Sequence, residues 1–157
     1  MRAPYLIGLA LLALVSCKDA IPPPEPFEGI TETLTDPTPI GSIDADDWKP
    51  LFDCPPPDTT GHSSLPKCTR AFPVYPNPAN GSTTFVFWIA QNDSVIITLY
   101  DRPDHLVSTL VNRRFRDGVY SYRLDLHGYE LTIHRLYFMV VRPEGIYTTY
   151  GDIEVVQ

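Results

Sequence analysis

Thr83-Thr84-Phe85-Val86-Phe87-Trp88-Ile89 is followed by the turn-forming run Gln91-Asn92-Asp93 and then by Val95-Ile96-Ile97-Thr98-Leu99-Tyr100-Asp101. In an extended chain Phe85, Phe87 and Ile89 share one face while Thr84, Val86 and Trp88 share the other, which is the period of two expected of a half-buried strand. Val95, Ile97 and Leu99 continue the inward face of a second strand, and Pro103 and Asp104 break it. Working outward, similar runs lie at Leu106 to Val111, Val119 to Asp125, Leu136 to Arg142 and Thr148 to Val156. Turn formers separate them at Asp117-Gly118, His127-Gly128 and Glu144-Gly145. No stretch carries a helical period. The pattern predicts an all-β domain over residues 72–157, a small antiparallel β-sandwich of about seven strands.

The region before it has a different composition. Fourteen of the seventeen prolines fall between Pro22 and Pro78. Residues 17–47 are rich in Pro, Thr, Asp and Glu without an apolar period, so the expectation is a disordered Pro-rich linker that cannot bury enough surface to offset ordering. Extended polyproline runs of ~3.1 Å per residue would make it an acidic tether. Trp48, Leu51 and Phe52 interrupt the polarity and open a connector, residues 48–71, that contains Cys54 and Cys68.

At the N-terminus Arg2 precedes an apolar segment from Tyr5 to Val15, shorter than the ~20 residues that span a bilayer, so residues 1–16 read as a secretory signal peptide. The run Leu14-Val15-Ser16-Cys17 resembles the bacterial lipobox. That resemblance implies cleavage before Cys17, acylation of its sulfur and its new amine, and a lipid-anchored envelope protein of the outer membrane, exposed at the surface. Several acyl chains, at ~0.8 kcal/mol per buried methylene, anchor stably where one would be marginal. With Cys17 assigned to lipid, Cys54 and Cys68 remain as a candidate disulfide in an oxidising compartment. A bridge there would close a loop of about fifteen residues and contribute ~3 kcal/mol in the chain-entropy model. Metal binding or free thiols are the rivals, and a spacing with only His62 between the cysteines lacks the paired ligands of a zinc site.

Tyr75-Pro76-Asn77-Pro78, followed by Asn80-Gly81-Ser82-Thr83-Thr84, resembles the opening of the C-terminal sorting domain of type IX secretion cargo and of the similar Ig-like domain of flagellar hook-capping proteins. The resemblance runs on through Leu99-Tyr100-Asp101, Val107 to Val111, Gly118 and Leu136-Tyr137-Phe138. It implies an Ig-like sandwich and, for a sorting domain, recognition by secretion machinery. Arg135-Leu136 stand where the family tends to have Gly before its Tyr, and Gly151-Asp152 lie where it tends to carry Lys. Independently of the family, prolines at 76 and 78 fix φ and remove two amide donors, which suits a segment packed along a sheet edge.

The formal charge is −7, about −8 once residues 1–16 and their single Arg2 are removed, which excludes a nucleic-acid-binding surface. Arg113, Arg114 and Arg116 are the only basic cluster and read as a solvated turn. His62, His105, His127 and His134 fall in loops or at strand margins with no nucleophile beside them, and His134 reads as a surface residue. Asp44, Asp46 and Asp47 suggest calcium, but an EF-hand loop would need Gly and Glu where Lys49 and Pro55 stand. No enzyme activity, cofactor or metal is expected. Trp88 and Tyr122 are candidate exposed anchors for a protein or glycan partner. The expected function is a non-catalytic envelope lipoprotein whose sandwich serves as an interaction or scaffold module, with a type IX sorting protein and a carbohydrate-binding module as alternatives.

Overall fold

A computed structural model of the chain describes Phe27, residues 29–52 and residues 68–157. Eight strands follow in chain order: β1 (Arg70–Ala71), β2 (Ala79–Asn80), β3 (Ser82–Ile89), β4 (Asp93–Arg102), β5 (His105–Phe115), β6 (Gly118–Asp125), β7 (Ile133–Arg142) and β8 (Gly145–Val156). They form a three-stranded sheet in the order β1-β3-β6 and a five-stranded sheet in the order β2-β8-β7-β4-β5. The all-β sandwich read from the sequence is therefore the fold, and its pairings are antiparallel except for the short β2–β8 ladder. Several strands begin or end away from their expected limits: β7 starts at Ile133 and β8 at Gly145, each three residues early. β4 starts at Asp93, placed above in the turn, and β5 runs on to Phe115 and so takes in Arg113 and Arg114.

The alternation builds the core directly. Phe85, Phe87 and Ile89 of β3 face Val95, Ile97 and Leu99 of β4 and Leu136, Phe138 and Val140 of β7, all nearly solvent-free. Their rings form a row across the sandwich. Trp48 stacks on Phe85 at 5.1 Å, Phe85 and Phe87 both meet Phe138 at 5.8 and 5.2 Å, and Phe87 continues to Phe115 and Tyr120 at 5.4 and 5.6 Å. Offset and edge contacts of this kind contribute about 0.5–1.5 kcal/mol each beyond area burial.

The first ring in that row comes from outside the domain as the sequence delimits it. Residues 29–52 do not form a free tether and connector; they pack on the sandwich as a strap, which corrects the linker reading for residues 29–47 and the domain start at 72. Thr31, Thr33 and Trp48 are buried. The linker reading failed because the strap is held by polar and backbone contacts, which leave no apolar period. Glu32 and Ser42 close a small loop through a backbone hydrogen bond of 2.8 Å, while Leu34, Ile40 and Ile43 face solvent. Of the earlier tether, residues 17–26 and 28 lie outside the described residues, as do the signal segment and residues 53–67.

Trp48 wedges the strap into the core. Its backbone N–H donates to the Tyr150 carbonyl at 2.6 Å, and its φ of 54° is left-handed, a conformation costing on the order of 1–3 kcal/mol for a bulky residue. Burial of the indole, 9% exposed, offsets that strain. Gly151 makes the room, since a Cβ there would lie 1.9 Å from the ring.

The Tyr75-Pro76-Asn77-Pro78 segment carries the chain from one sheet to the other. Tyr75 exchanges backbone hydrogen bonds with Thr84 of β3, at 2.9 and 2.7 Å, and Ala79 then pairs with Val155 of β8. The peptide bonds before Pro76 and Pro78 are both cis. Asn77, 1% exposed, sits at the crossover.

Candidate functional site

Asn77 uses its whole amide. Nδ2 donates to the carbonyls of Thr31 (3.1 Å) and Asp152 (2.8 Å), Oδ1 accepts the Glu154 N–H (3.0 Å), and its backbone exchanges hydrogen bonds with Thr33. Asp47 continues the same line: its carboxylate accepts the N–H of Asp152 at 2.8 Å and of Thr31 at 2.9 Å. The β8 backbone from Tyr150 to Glu154 is thereby satisfied along its outer side by Trp48, Asp47 and Asn77, which take the place of a neighbouring strand.

Two arginines on β7 fasten the strap. Arg135 grips Asp152 through Nε (2.7 Å) and Nη2 (2.8 Å) and lies between the rings of Tyr150 (4.0 Å) and Phe27 (4.5 Å). At the other end Arg142 grips Asp93 through Nε (3.0 Å) and Nη2 (2.7 Å) beneath Phe52 (4.3 Å), which packs on Tyr147. Bidentate, stacked pairs of this type suit arginine and not lysine. Arg135 and Asp152, the residues that depart from the sorting-domain pattern, are thus partners in one buried ion pair.

These charges shape the titration of the cluster. Burial pushes the Asp47 carboxyl up to about 7, over the opposing pull of the N–H donors of Asp152 and Thr31 and with repulsion from Asp152 and Asp44 added. Burial likewise raises Asp152, while the Arg135 guanidinium works against the rise. Arg135 stays cationic: burial alone would lower it, and its hydrogen bonds and attraction to Asp152 outweigh that cost. Asp44, Asp47 and Asp152 bring one carboxylate oxygen each within 4.8 Å of one another, a spacing a cation could bridge. The oxygens of Asp152 already accept from Arg135 and those of Asp47 from two backbone amides, so the cluster is a joint and not an open ligand set. Asp46, the third acid of the calcium suggestion, faces solvent and pairs with Lys49.

The histidines divide in a way the sequence did not indicate. His134 is 1% exposed, not a surface residue, because β7 begins at Ile133 and its inward face includes the position two residues before Leu136; its Nε2 meets the Glu130 carbonyl at 2.9 Å. It lines a cavity of about 270 Å³ with Asp101, Val107, His127, Tyr129 and Glu130. Histidine and carboxylates meet there, but Nδ1 is shut away from solvent and Nε2 is engaged, so the imidazole has no nitrogen to offer a ligand. His105 and His127 are exposed and pair with Asp101 (2.7 Å) and Asp125 (2.6 Å). Hydrogen bonds from His127, the backbone N–H foremost, hold Asp125 below its ordinary value. His62 lies outside the described residues.

The two candidate anchors do not form one surface. Trp88 points away from Phe87 as expected, but it is half-buried and sits between Arg70 and Val119 on the outer face. Tyr122 pairs with Phe85 and so faces inward with Tyr120 and Leu124. The alternation Tyr120, Tyr122, Leu124, Leu126 carried that signal. Cys68 is buried at the start of β1, whereas Cys17 and Cys54 lie outside the described residues.

Away from the strap the sandwich is open. Among the described residues β5 and β6 each pair on one side only, and each closes one sheet. Between them runs a groove of about 380 Å³ lined by Phe87, Leu110, Arg113, Phe115, Tyr120 and Tyr122, where the aromatic row of the core reaches the surface. Arg113 lies over the Phe115 ring at 4.5 Å. Neither Arg113 nor Arg114 nor Arg116 is in an ion pair with any described residue, and the first two belong to β5 instead of a turn.

The chain matches no family model, no curated protein and no solved structure.

Proposed function

We propose that this chain is a non-catalytic cell-envelope lipoprotein, anchored through acyl chains on Cys17 and presenting its Ig-like sandwich as a protein-interaction module. The observation that carries the reading is the contrast between the two sides of the sandwich. The buried charges, Arg135, Asp152, Arg142 and Asp93, are all engaged in holding the strap and sheets together. What is left open is an apolar groove beside two unpaired strand edges, which is a recognition surface and not a reaction centre.

The lipobox ending at Cys17 supplies the address, an outer-membrane and surface-exposed location, and the acidic stretch after it supplies a short spacer. Cys68, buried just ahead of β1, is the half of the proposed Cys54–Cys68 pair that falls within the described residues. The strap also favours a module over a detachable sorting tail. Cleavage ahead of residue 72 would remove Trp48 from the core and uncover Gly151, Asp152 and Arg135. Deleting residues 148–157 would take most of β8 with it, so sorting is tested with full-length chains only.

Mass spectrometry of the N-terminal peptide, combined with protease shaving of intact cells, tests the reading. It predicts a chain that begins at an acylated Cys17 and is cut by external protease. An uncleaved, unmodified Cys17 would overturn both the anchor and the location.

A further inference from the structure

We infer that the outer edge of β5 is a docking site for an extended, acidic-apolar segment of a partner protein, added as a further strand beside His105–Phe115 with side chains entering the β5–β6 groove. This deepens the interaction-module reading and rests on it.

Three features converge on β5. Its eleven residues, roughly 37 Å at ~3.4 Å per residue, pair among the described residues with β4 alone, so every second residue directs its backbone polar groups away from the sheet. Its side chains are exposed apart from Val111 and Phe115 and the half-covered Ser108 and Leu110. At the other sheet ends the edge strands β1 and β2 have two residues each, too short to template a long partner, while β6 has eight residues and its one arginine, Arg123, is bonded to Ser82.

The groove sets the chemistry of the occupant. Val111 pairs with Ile97, Arg113 with Val95 and Phe115 with Asp93, so all three lie on the groove side of β5. An added strand would therefore meet alternating apolar and cationic positions on that side, with Arg114 on the opposite face. An apolar or aromatic side chain can fill the space against Tyr120 and Tyr122 while a carboxylate two residues away reaches Arg113. Three arginines that pair with no described carboxylate, on a chain of net charge −7, favour an acidic partner segment locally, although the rest of the surface repels one. The charge makes the edge selective: a strand carrying lysines would face Arg113 and Arg114 with like charge.

The experiment uses the purified full chain in detergent and a fluorescein-labelled eight-residue peptide, Phe-Thr-Glu-Thr-Phe-Thr-Glu-Thr, which sets phenylalanine and glutamate alternately along one face, read by anisotropy. Binding is expected to weaken at least tenfold for the double variant Arg113→Glu, Arg114→Glu, whose circular dichroism should match that of the parent. It should weaken comparably when alternate peptide amides are N-methylated, a change that leaves the protein untouched. Equal binding of the lysine-substituted peptide, or affinity unchanged by charge reversal or by N-methylation, would overturn the proposal. A dimer in sedimentation that the double variant dissociates would overturn it too, by giving the edge to a second copy. Cys17→Ser would abolish anchoring and leave peptide affinity where it is, so failure of the envelope reading and failure of the docking reading are told apart.

Discussion

The two long flanks of this sandwich solve the edge problem in opposite ways. Along β8, backbone groups that would otherwise await a neighbouring strand are taken by Trp48, Asp47 and Asn77, residues 75 to 105 positions away in sequence. Along β5 no described residue adds a partner, and the apolar groove beneath it stays open. Unpaired edges invite association, and natural sheets usually shorten, cover or charge them. Here one flank is covered and the other is only charged. Coverage closes a flank to every partner, whereas charge leaves it open to a partner of the complementary sign.

The largest expected effect breaks the covered side. Trp48→Ala should cost about 3–5 kcal/mol in urea unfolding, since it opens a cavity beside Phe85 and removes the main apolar attachment of the strap. A loss under ~1 kcal/mol would mean that the strap is an ornament on an independently stable domain. Asn77→Ala should follow at about 2–3 kcal/mol, because it leaves the Thr31 and Asp152 carbonyls and the Glu154 N–H without their partner. Chemical denaturation with the Asn77→Asp variant alongside sharpens this. The aspartate retains the acceptor for Glu154 and lacks both donors.

A pH series addresses the Asp47 joint. Its carboxyl is raised in the folded chain from 3.8 to about 7, so the folded state binds the proton more tightly than the unfolded state does. That contribution is fully present below pH ~4 and is lost as pH rises through about 7, so stability should slope downward between those limits and level off above. Asp47→Asn should flatten the slope. An unchanged slope in the variant would place the pH dependence elsewhere. The smallest effect belongs to the open side: Arg114→Ala should change stability by no more than about 0.5 kcal/mol, as expected of an exposed residue whose use is external.

The domain was legible in the sequence because its side chains alternate. Phe85 to Ile89 and Val95 to Leu99 need only a pleated strand to reach the core, and every turn between strands carries Gly, Pro, Asn or Asp. The strap was not legible. Its contacts are a lone Trp, two isolated Phe residues, and threonines and aspartates that bond to distant backbone; composition cannot separate these from a solvated linker. Signals existed in hindsight at Arg135, Gly151 and Asp152, which break the sorting-domain pattern and prove to be the ion pair and the vacancy that receive the strap. The groove fell between the two cases. Tyr122 was seen as a binding residue but assigned to the wrong face, and Arg113 was assigned to a turn, because the length of β5 beyond Val111 depends on its pairing with Asp93 to Val95 and not on its own polar sequence.

Native-state amide hydrogen exchange compares the flanks in one experiment. The account predicts that the Asp152 and Glu154 amides, bonded to Asp47 and Asn77, exchange almost as slowly as the central strands, while the β5 amides facing away from β4 exchange at rates near those of loops. Loop-like exchange at Asp152 and Glu154, or equal protection along both sides of β5, would contradict it.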